Sequence, residues 1–431
     1  MHKIIRSKYV LPLTGAPIED GALFFCGGVI AAVGRFKDLS GLSSVVEDLG
    51  DGVLFPGLIN GHCHLGLSGI PTLRVEKAGF SGWAQSVIGE IASLAKGGMK
   101  TARQAGLNQL VRNCGCTTIL DHEPLHDLIP GVGELEAGAE PTPQVLWSPE
   151  FGGTLAGLDT KELFSQIAGL VGKSGPVPGI PHFISPHAPY SVKPDLLGAI
   201  GSLMFSSRPE IRVSMHVAES DDEEAYFREG SGGMWDWLQS SAVSPVVPMH
   251  PSPLKHILGC GIPLERLVLV HANFLTDDEL DDVRTCRAGL VHCPSSHEFF
   301  GHTRHPVRSW MDRGLRWCLG TDSLATTHPD ECGVRELDLL RECRLLKGKV
   351  PGITNRQLLE SVTVRAAEVL GLDGVAGDLE SGHRADMNFL SVENLNLKRK
   401  SHLSEELAEF IIYSKPHELG MRTWIKGREV G

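Results

Sequence analysis

Apolar and polar positions follow two different patterns along the chain. In residues 1–53, short apolar runs broken by Gly and Pro show no helical periodicity, and they predict the strands Ile4–Leu13, Ala22–Phe25 and Val29–Val33. From Val53 onward, apolar runs of strand length alternate with polar loops and amphipathic helical segments. This change indicates that a small β unit precedes a larger α/β unit.

The α/β part contains apolar runs that are typical of buried strands, and there are eight of them: Val53–Ile59, Thr117–Leu120, Gln144–Trp147, His182–Ile184, Arg212–Met215, Leu267–Val270, Gly289–Val291 and Arg316–Leu319. Helical periodicity marks further segments: Lys100–Asn113, Lys161–Val171, Asp221–Glu229, Asp277–Arg287 and Thr354–Leu370. Strands and helices that alternate in this way predict a closed parallel (β/α)8 barrel of the TIM type.

The β-like pattern returns near the C-terminal end of the sequence. The runs Asp386–Ser391, Phe410–Ile412 and Thr423–Ile425 are predicted to be strands. We therefore expect an α/β protein in which residues 54–372 form the barrel. Residues 1–53 and 373–431 together are expected to form one small composite β-sandwich domain outside it.

Composition narrows the class of protein. Of the 431 residues, 42% are hydrophobic and 21% are charged, so the chain can bury a sizeable core. Its net charge of −12 disfavours a nucleic-acid polymer or an anionic membrane surface as the main partner. No apolar run approaches the roughly 18 residues of a membrane-spanning helix, and the ten cysteines are too sparse for a disulfide scaffold. These features predict a soluble, cytoplasmic protein.

Candidate metal ligands lie at the predicted strand ends. His62 and His64 are two residues apart, so on a strand they share one face and can present two imidazoles to one ion. His216, His271 and Asp322 each follow another apolar run, and the C-terminal ends of barrel strands converge on the face that carries active sites. Imidazoles with a carboxylate suit zinc or iron, with a position left for water.

Five motifs in a fixed order carry a family resemblance. The segments PGLINGHCH (56–64), HVAE (216–219), VHAN (270–273), HCPSS (292–296) and GTDS (320–323) resemble the amidohydrolase superfamily. The resembling branch contains cytosine, guanine and adenosine-type deaminases and the triazine chlorohydrolases. The segments TVRAA (363–367) and GHRAD (382–386) resemble the family's closing helix and its return to the β domain. The resemblance implies a metal-bearing (β/α)8 barrel with a small β domain from both termini.

The resemblance also implies roles for the strand-end residues. His62 and His64 correspond to ligands on the first strand, His216 to the ligand on the fifth strand and Asp322 to the ligand on the eighth. His271 corresponds to a histidine that contacts the activated water rather than the metal. Two-metal members use a lysine after the fourth strand, which the segment 183–190 lacks. We therefore expect a single divalent metal, zinc or iron.

The predicted catalytic residues are Glu219, His271 and Asp322. In the resembling deaminases, the glutamate at the position of Glu219 carries a proton to the heterocycle nitrogen, while the aspartate accepts a proton from the water. The alternative for Glu219 is that it merely precedes an acidic helix whose N-cap is Ser220. That alternative explains residues 221–224 but leaves Glu219 outside the helix.

Five further residues are predicted to contact the substrate: His187, Trp83, Glu150, His297 and Ser323. Four of them have a structural alternative. His187 can anchor a Pro-rich turn, Trp83 can belong to a helical core, and Glu150, like His122, can support the site indirectly or be merely structural. His297 stands where the family has asparagine and begins a loop rich in aromatic residues and histidines, for which a surface cluster is the alternative.

Taken together, the sequence predicts a hydrolytic deaminase of an aminopurine that releases ammonia. An adenosine-type nucleoside with an extended 5′ group is the expected substrate, such as S-adenosylhomocysteine, methylthioadenosine or an aminodeoxyfutalosine-like compound. Guanine deamination or hydrolysis of a chloro- or amino-triazine is the first alternative. A non-catalytic oligomeric scaffold is the second. The partner is expected to be a small heterocycle, and the family suggests a homo-oligomer.

Overall fold

The computed structural model describes residues 2–70, 79–94, 98–124, 141–154, 159–173, 179–206, 211–242, 245–330, 332–391, 402–414 and 419–430. The strands belong to two eight-stranded sheets. One is a parallel barrel, and the other is a mixed sheet to which both ends of the chain contribute. Within these residues, no helix is long and apolar enough to cross a membrane.

The barrel strands follow one another in chain order: β6 Leu58–Cys63, β7 Cys116–Pro124, β8 Gln144–Phe151, β9 His182–Pro186, β10 Ile211–Val217, β11 Leu267–His271, β12 Gly289–His292 and β13 Arg316–Leu319. Each pairs in parallel with the next. The first and last strands meet where the His62 carbonyl accepts the N–H groups of Thr321 and Asp322, at 3.0 and 3.1 Å. The predicted TIM-type barrel is confirmed.

The helices are α1 Phe36–Leu39, α2 Gly79–Leu94, α3 Met99–Cys114, α4 Thr160–Lys173, α5 Pro194–Ser206, α6 Asp221–Glu229, α7 Gly233–Ser241, α8 Pro253–Gly259, α9 Asp277–Cys286, α10 Pro294–Phe299, α11 Val307–Asp312, α12 Leu339–Lys349, α13 Asn355–Ser361, α14 Val364–Leu370 and α15 Leu403–Tyr413. Three short 3₁₀ turns cover Leu65–Gly69, Leu264–Arg266 and Leu324–Thr326.

Local sequence determines where the helices begin and end. Helix α9 starts at a capping box in which Thr276 accepts the N–H of Glu279 and the Glu279 side chain accepts the N–H of Thr276. Helix α6 starts after Ser220, whose hydroxyl accepts the N–H of Glu223, and ends at Gly230 in the left-handed conformation.

The interior of the barrel is packed with apolar side chains. Ile59, Leu120, Val268 and Val291 are fully buried there and belong to one cluster with residues of α14. Because barrel strands present alternate residues to the interior, this packing leaves the C-terminal face as the place for polar side chains.

The second sheet joins the two ends of the chain. Its strands are β1 His2–Val10, β2 Ile18–Cys26, β3 Val29–Arg35, β4 Val46–Asp48, β5 Gly52–Pro56, β14 Met387–Ser391, β15 Arg422–Ile425 and β16 Arg428–Glu429. The order is β16-β15-β14-β5-β1-β2-β3, with β4 beside β1. A Cβ added to Gly427 would lie 2.6 Å from the Phe25 ring, so the two ends of the sheet curl back onto each other around an apolar core.

The run Val53–Ile59, predicted as one strand, is two strands. Its first half belongs to β5 of the terminal sheet and its second half to β6 of the barrel. The pattern hides the break because both strands are buried on both faces and Gly57 separates them. A Cβ at Gly57 would lie 2.2 Å from the Thr117 hydroxyl oxygen, so the chain needs glycine where it passes from one sheet to the other.

The prediction of a strand at Phe410–Ile412 is wrong. These residues form the end of α15, which buries Leu403, Leu407 and Ile411, four residues apart, on one face. Helix α15 packs against α12 and α13, which flank the barrel. A short run of β-branched residues at the end of a helix resembles a strand when the sequence of the preceding helical turns is not considered with it.

The helix predicted over Thr354–Leu370 is also divided. Helix α13 ends at Ser361 and α14 begins at Val364, because Thr363 has φ −140° and ψ −103°, outside the helical region. The break lets the Val362 carbonyl accept the N–H of Ile59 at 2.8 Å, which ties this segment to the first barrel strand.

A buried asparagine connects the barrel to the terminal sheet. The Asn388 amide donates to the Gly115 carbonyl at 2.9 Å, and its oxygen accepts the Thr423 hydroxyl at 2.8 Å. Gly115 ends α3 with φ 65°, and a Cβ there would lie 2.2 Å from the Asn388 side-chain oxygen. Backbone conformation and space both require glycine at this position.

We expect Gly115→Ala to lower the free energy of unfolding by about 2–4 kcal/mol, about 1 from the left-handed conformation and the rest from the contact with Asn388. Gly314→Ala is the matched control, because Gly314 has φ 64° and open space around it, so only the backbone cost of about 1 kcal/mol applies. Denaturant unfolding of both variants measures the difference. Equal losses of unfolding free energy in the two variants would show that the Asn388 side chain moves aside without an energetic cost.

Candidate active site

Four of the predicted site residues form a compact group at the C-terminal face of the barrel. His62 and His64 lie at the end of β6, His216 at the end of β10 and Asp322 just after β13, and all four are buried. The Nε2 atoms of His64 and His216 are 3.3 Å apart. One Asp322 oxygen lies 3.6 Å from Nε2 of His62 and 3.7 Å from Nε2 of His64.

Backbone carbonyls fix the tautomers of two of these imidazoles. His64 donates its Nδ1–H to the His122 carbonyl at 3.1 Å, and His216 donates its Nδ1–H to the His187 carbonyl at 2.9 Å. Their Nε2 atoms therefore carry lone pairs that face each other. Among the described residues, both ring nitrogens of His62 lack a hydrogen-bond partner although the side chain is completely buried. Lone pairs turned toward each other in a dry site need a Lewis acid between them.

The spacing fits one divalent ion. Zinc holds imidazole nitrogens at about 2.0–2.1 Å in a tetrahedron, so neighbouring donor atoms lie about 3.3 Å apart. The measured separations of 3.3, 3.6 and 3.7 Å are close to that value. Burial lowers the pKa values of His62 and His216 well below the usual value, so both are neutral and able to ligate.

Asp322 is held in place by its own turn. Its backbone is left-handed, with φ 54°, and its second oxygen accepts the Thr326 hydroxyl at 3.0 Å. Burial opposes ionisation of this carboxyl, but the nearby imidazoles of His271, His64 and His216 outweigh it and keep the pKa of Asp322 below its usual value. Asp322 is therefore an ionised carboxylate directed at the group of imidazoles.

Glu219 faces the same site because the chain turns sharply after His216. Ala218 adopts a left-handed conformation with φ 51°, and a Glu219 oxygen then lies 3.3 Å from Nε2 of His271. The Asn273 amide donates to the Glu219 carbonyl at 3.0 Å, and the Glu223 carboxylate accepts the Glu219 N–H at 2.9 Å. Glu219 lies outside α6, so the helix start that explains residues 221–224 does not explain it.

The environments of Glu219 and His271 set their protonation states. Burial raises the pKa of Glu219 well above its usual value, and the charges of Asp322, Glu223 and Glu150 add to this effect. Burial lowers the pKa of His271 well below its usual value. Burial therefore favours the protonated form of Glu219 beside a neutral imidazole.

The residues predicted to contact substrate lie around this group. His187 is partly buried, and its Nδ1 lies 2.9 Å from the Ser191 hydroxyl, a contact within the predicted Pro-rich turn. Trp83 lies on α2 with its ring centroid 5.9 Å from Phe80 and 4.9 Å from Phe300. Both structural alternatives therefore have contacts that support them, and substrate contact stays a prediction for both residues.

Two further candidates, His297 and Ser323, are buried rather than on the surface, with 1% exposure each. His297 donates to the Arg304 carbonyl at 3.0 Å and packs at 4.2 Å, between ring centroids, against His305. The Ser323 carbonyl accepts the Thr327 hydroxyl at 3.0 Å. Their roles toward a substrate stay predictions.

Glu150 and His122 lie on the barrel side of the ligand group. Nδ1 of His122 lies 3.0 Å from the Ser185 hydroxyl and Nε2 lies 2.9 Å from the Ser214 hydroxyl, so both of its nitrogens have partners. A Glu150 oxygen lies 3.4 Å from Nδ1 of His122. Of the alternatives predicted for this pair, these contacts favour indirect support of the site.

Sequence reasoning missed three residues that hold the predicted catalytic residues in place. Thr326 orients Asp322, while Glu223 and Asn273 fix the backbone of Glu219. A signal existed for two of them: Asn273 is in the VHAN segment, and Glu223 completes a Ser-x-x-Glu capping pattern. Thr326 follows Asp322 by four residues, a spacing that carries meaning only once the 3₁₀ turn is known.

Comparisons with known proteins agree with this geometry. A sequence model described as "Amidohydrolase family" matches residues 182–430, more than half of the chain. A 5-methylthioadenosine/S-adenosylhomocysteine deaminase of Symbiobacterium thermophilum is 24% identical over 404 residues, covering 91% of this chain and 86% of that protein. A 5′-deoxyadenosine deaminase of Methanobrevibacter smithii is 25% identical, covering 95% and 88%.

Among solved structures, a zinc-bound adenosine deaminase of Xanthomonas campestris superimposes with a TM-score of 0.78 at 20% identity. The match covers 99% of this chain and 92% of that one, so the two share the whole fold. The chain therefore combines this fold with the buried imidazoles and strand-end carboxylates described above.

Proposed function

The chain belongs to the amidohydrolase family, and on this premise we propose that it is a metal-dependent hydrolytic deaminase of an aminopurine. The observation that carries the proposal is the buried Glu219 carboxyl, whose pKa is raised well above its usual value by burial. It lies beside His271, in a site that also holds the group formed by His62, His64, His216 and Asp322. This combination offers water activation and a proton donor in one dry site. Both are required to replace an amino group by oxygen.

The ligands of the proposed metal are His62, His64, His216 and Asp322. We propose zinc as the ion because it readily accepts imidazole nitrogen and carboxylate oxygen in a four-coordinate site, with iron as the alternative. When bound, a metal of this kind polarises a water and lowers its pKa from about 15.7 to about 7.

Glu219 supplies the proton that makes the substrate ring electrophilic. Its carboxyl gives a proton to the ring nitrogen next to the amino-bearing carbon, and a C–O bond to the water oxygen forms at that carbon. Positioned acid–base groups contribute about 10²–10⁴-fold to such a step. Neutral His271, at 3.3 Å from Glu219, orients the carboxyl and the attacking water.

Asp322 completes the proton transfers. Its carboxylate accepts the proton that the water loses and passes a proton to the departing amino group. The C–N bond then breaks and ammonia leaves. The hydroxyl bound to the carbon then loses its proton to Glu219 and becomes the carbonyl oxygen. Overall, one water is consumed, ammonia is released, and Glu219 and Asp322 return to their starting protonation states.

We propose an adenosine-type nucleoside with an extended 5′ group as the substrate. The two relatives described above act, by their names, on 5′-modified adenosines and match over about nine-tenths of this chain. The aromatic residues Trp83, Phe80 and Phe300 form a cluster whose ring centroids lie 4.9–5.9 Å apart. Aromatic rings of this kind can stack on the ring of a heterocycle. Cytoplasmic location and homo-oligomeric assembly stay predictions.

An ammonia-release screen with the zinc-loaded protein tests the proposal. We expect kcat/KM to be highest for methylthioadenosine, S-adenosylhomocysteine or 5′-deoxyadenosine, and at least tenfold lower for adenine, guanine and aminotriazines. Matched reactions without enzyme provide the background. A preference for guanine or a triazine would replace the nucleoside with one of the alternatives, and no release from any amine would remove the deaminase proposal.

A further inference from the structure

Glu150 lies beneath the group of ligand imidazoles. It is the penultimate residue of β8, and its carboxylate faces three Nδ1 atoms. The distances from the carboxylate oxygens are 3.4 Å to His122, 3.6 Å to His216 and 3.9 Å to His64. Two of these imidazoles are proposed metal ligands, and their other nitrogens face the proposed ion.

The carboxylate of Glu150 is buried without a basic partner. Its side chain is 13% exposed, and in the described residues its ion-pair partners are imidazoles only. One of its oxygens lacks a hydrogen-bond partner there. A buried charge is costly unless an opposite charge is nearby. This arrangement therefore points to a cation on the other side of the imidazoles, bound by their Nε2 atoms.

His122 belongs to the same group of imidazoles, but both of its ring nitrogens have other partners. Serine hydroxyls occupy both of its ring nitrogens, and its ring centroid is 4.4 Å from that of His62. It fills the space beneath the ligands and leaves Glu150 in contact with the Nδ1–H sides of His64 and His216. Each of those N–H groups donates to a backbone carbonyl, and the Glu150 carboxylate lies beside both, 3.6 Å from Nδ1 of His216 and 3.9 Å from Nδ1 of His64.

We propose that Glu150 is a positioning residue of the metal centre that makes His64 and His216 stronger donors and, with Asp322, balances the charge of a divalent ion. The sequence predicted that Glu150 contacts the substrate. In this proposal it acts on the metal ligands instead. The inference rests on the proposed metal site and not on the identity of the substrate. One carboxylate acts on two ligands, so a single substitution weakens both.

The expected effect follows from the general behaviour of such partners. A carboxylate beside the N–H of a ligand imidazole raises the basicity of the imidazole, and loss of such a partner typically weakens metal binding about 10–100-fold. A bound ion stabilises the folded protein, and this stabilisation grows with the logarithm of the metal affinity. A variant with weaker metal binding should therefore show a smaller increase in Tm when metal is added.

The test measures zinc binding and stability of Glu150→Gln rather than activity alone. Competition with a chelator of known affinity should give a zinc dissociation constant about 10–100-fold higher than that of the wild type. The zinc-induced rise in Tm should be smaller than in the wild type. Glu150→Asp, which keeps the charge but withdraws it by one methylene, should lie between the two.

Glu342→Gln is the matched control. Glu342 is also a buried glutamate, 2% exposed, and accepts the Ser295 N–H at 2.7 Å. It has no contact with a proposed ligand among the hydrogen bonds and ion pairs described for the chain. Its substitution should lower the Tm of metal-free and zinc-loaded protein alike and leave the zinc dissociation constant within about threefold of wild type.

Three outcomes overturn the inference. Wild-type zinc affinity in Glu150→Gln, with equal Tm losses in both forms, would make the residue merely structural. Wild-type zinc affinity with a raised KM for the nucleoside would assign Glu150 to the substrate. Failure of the wild type itself to bind zinc would remove the site. Weakened zinc binding in a protein that releases no ammonia would support the inference while overturning the proposed deamination.

Discussion

Replacing Glu219 by glutamine is expected to reduce kcat/KM for deamination by about 10²–10⁴-fold while the metal content stays unchanged. The glutamine amide keeps the size of the side chain and the backbone bonds to Asn273 and Glu223, but it has no acidic proton to give to the ring nitrogen. Steady-state ammonia release and metal analysis of the purified variant measure both quantities.

Glu229→Gln is the control for this substitution, because Glu229 lies ten residues further along the same acidic segment and is exposed. It should retain wild-type kcat/KM. If Glu219→Gln stayed within a few-fold of the wild type, Glu219 would not be the proton donor. If it lost metal as well, the fall in rate would belong to the ligand group instead.

Removal of the metal is expected to abolish deamination, and addition of zinc is expected to restore it. Without an ion, the four ligand side chains offer only imidazoles and one carboxylate, and none of these groups ionises water at neutral pH. The measurement is ammonia release before chelation, after chelation and after addition of one equivalent of zinc or iron. The metal that restores the higher rate identifies the preferred ion.

His64→Ala and His250→Ala separate this effect from general damage. His64→Ala should bind no metal tightly and stay inactive when zinc is added, whereas His250 is exposed and its substitution should leave metal content and activity unchanged. A chelated protein that is free of metal by elemental analysis and still turns over at the wild-type rate would contradict the metal-dependent mechanism.

Strand positions in the barrel were predictable because each strand is buried on both faces and is followed by a polar loop and a helix. The same property concealed the boundary at Gly57, since β5 and β6 form one uninterrupted apolar run although they belong to different sheets. The divided helix at Thr363 was equally hidden, because its break depends on a hydrogen bond to Ile59 far away in sequence.

The ligand and catalytic residues could be proposed from sequence because they follow strand ends, where a barrel brings side chains together. Their orientation could not. The tautomers of His64 and His216 depend on the carbonyls of His122 and His187, which are distant in sequence. Glu150 illustrates the same limit: a carboxylate at a strand end predicts a position near the site but not the side of the imidazoles on which it lies.

The shared terminal sheet has a consequence for how the protein is made. Strand β5 pairs with β1 on one side and with β14 on the other, so its second edge stays open until residues 387–391 have left the ribosome. The barrel strands, which end at Leu319, are synthesised well before that. Until then, a nascent chain carries an unpaired strand edge that includes Val53, Leu54 and Phe55, which are completely buried in the folded protein. Such an edge can pair wrongly with a strand of another chain. Emergence of residues 387–391 from the ribosome, rather than completion of the barrel, is the event that lets the molecule close this edge.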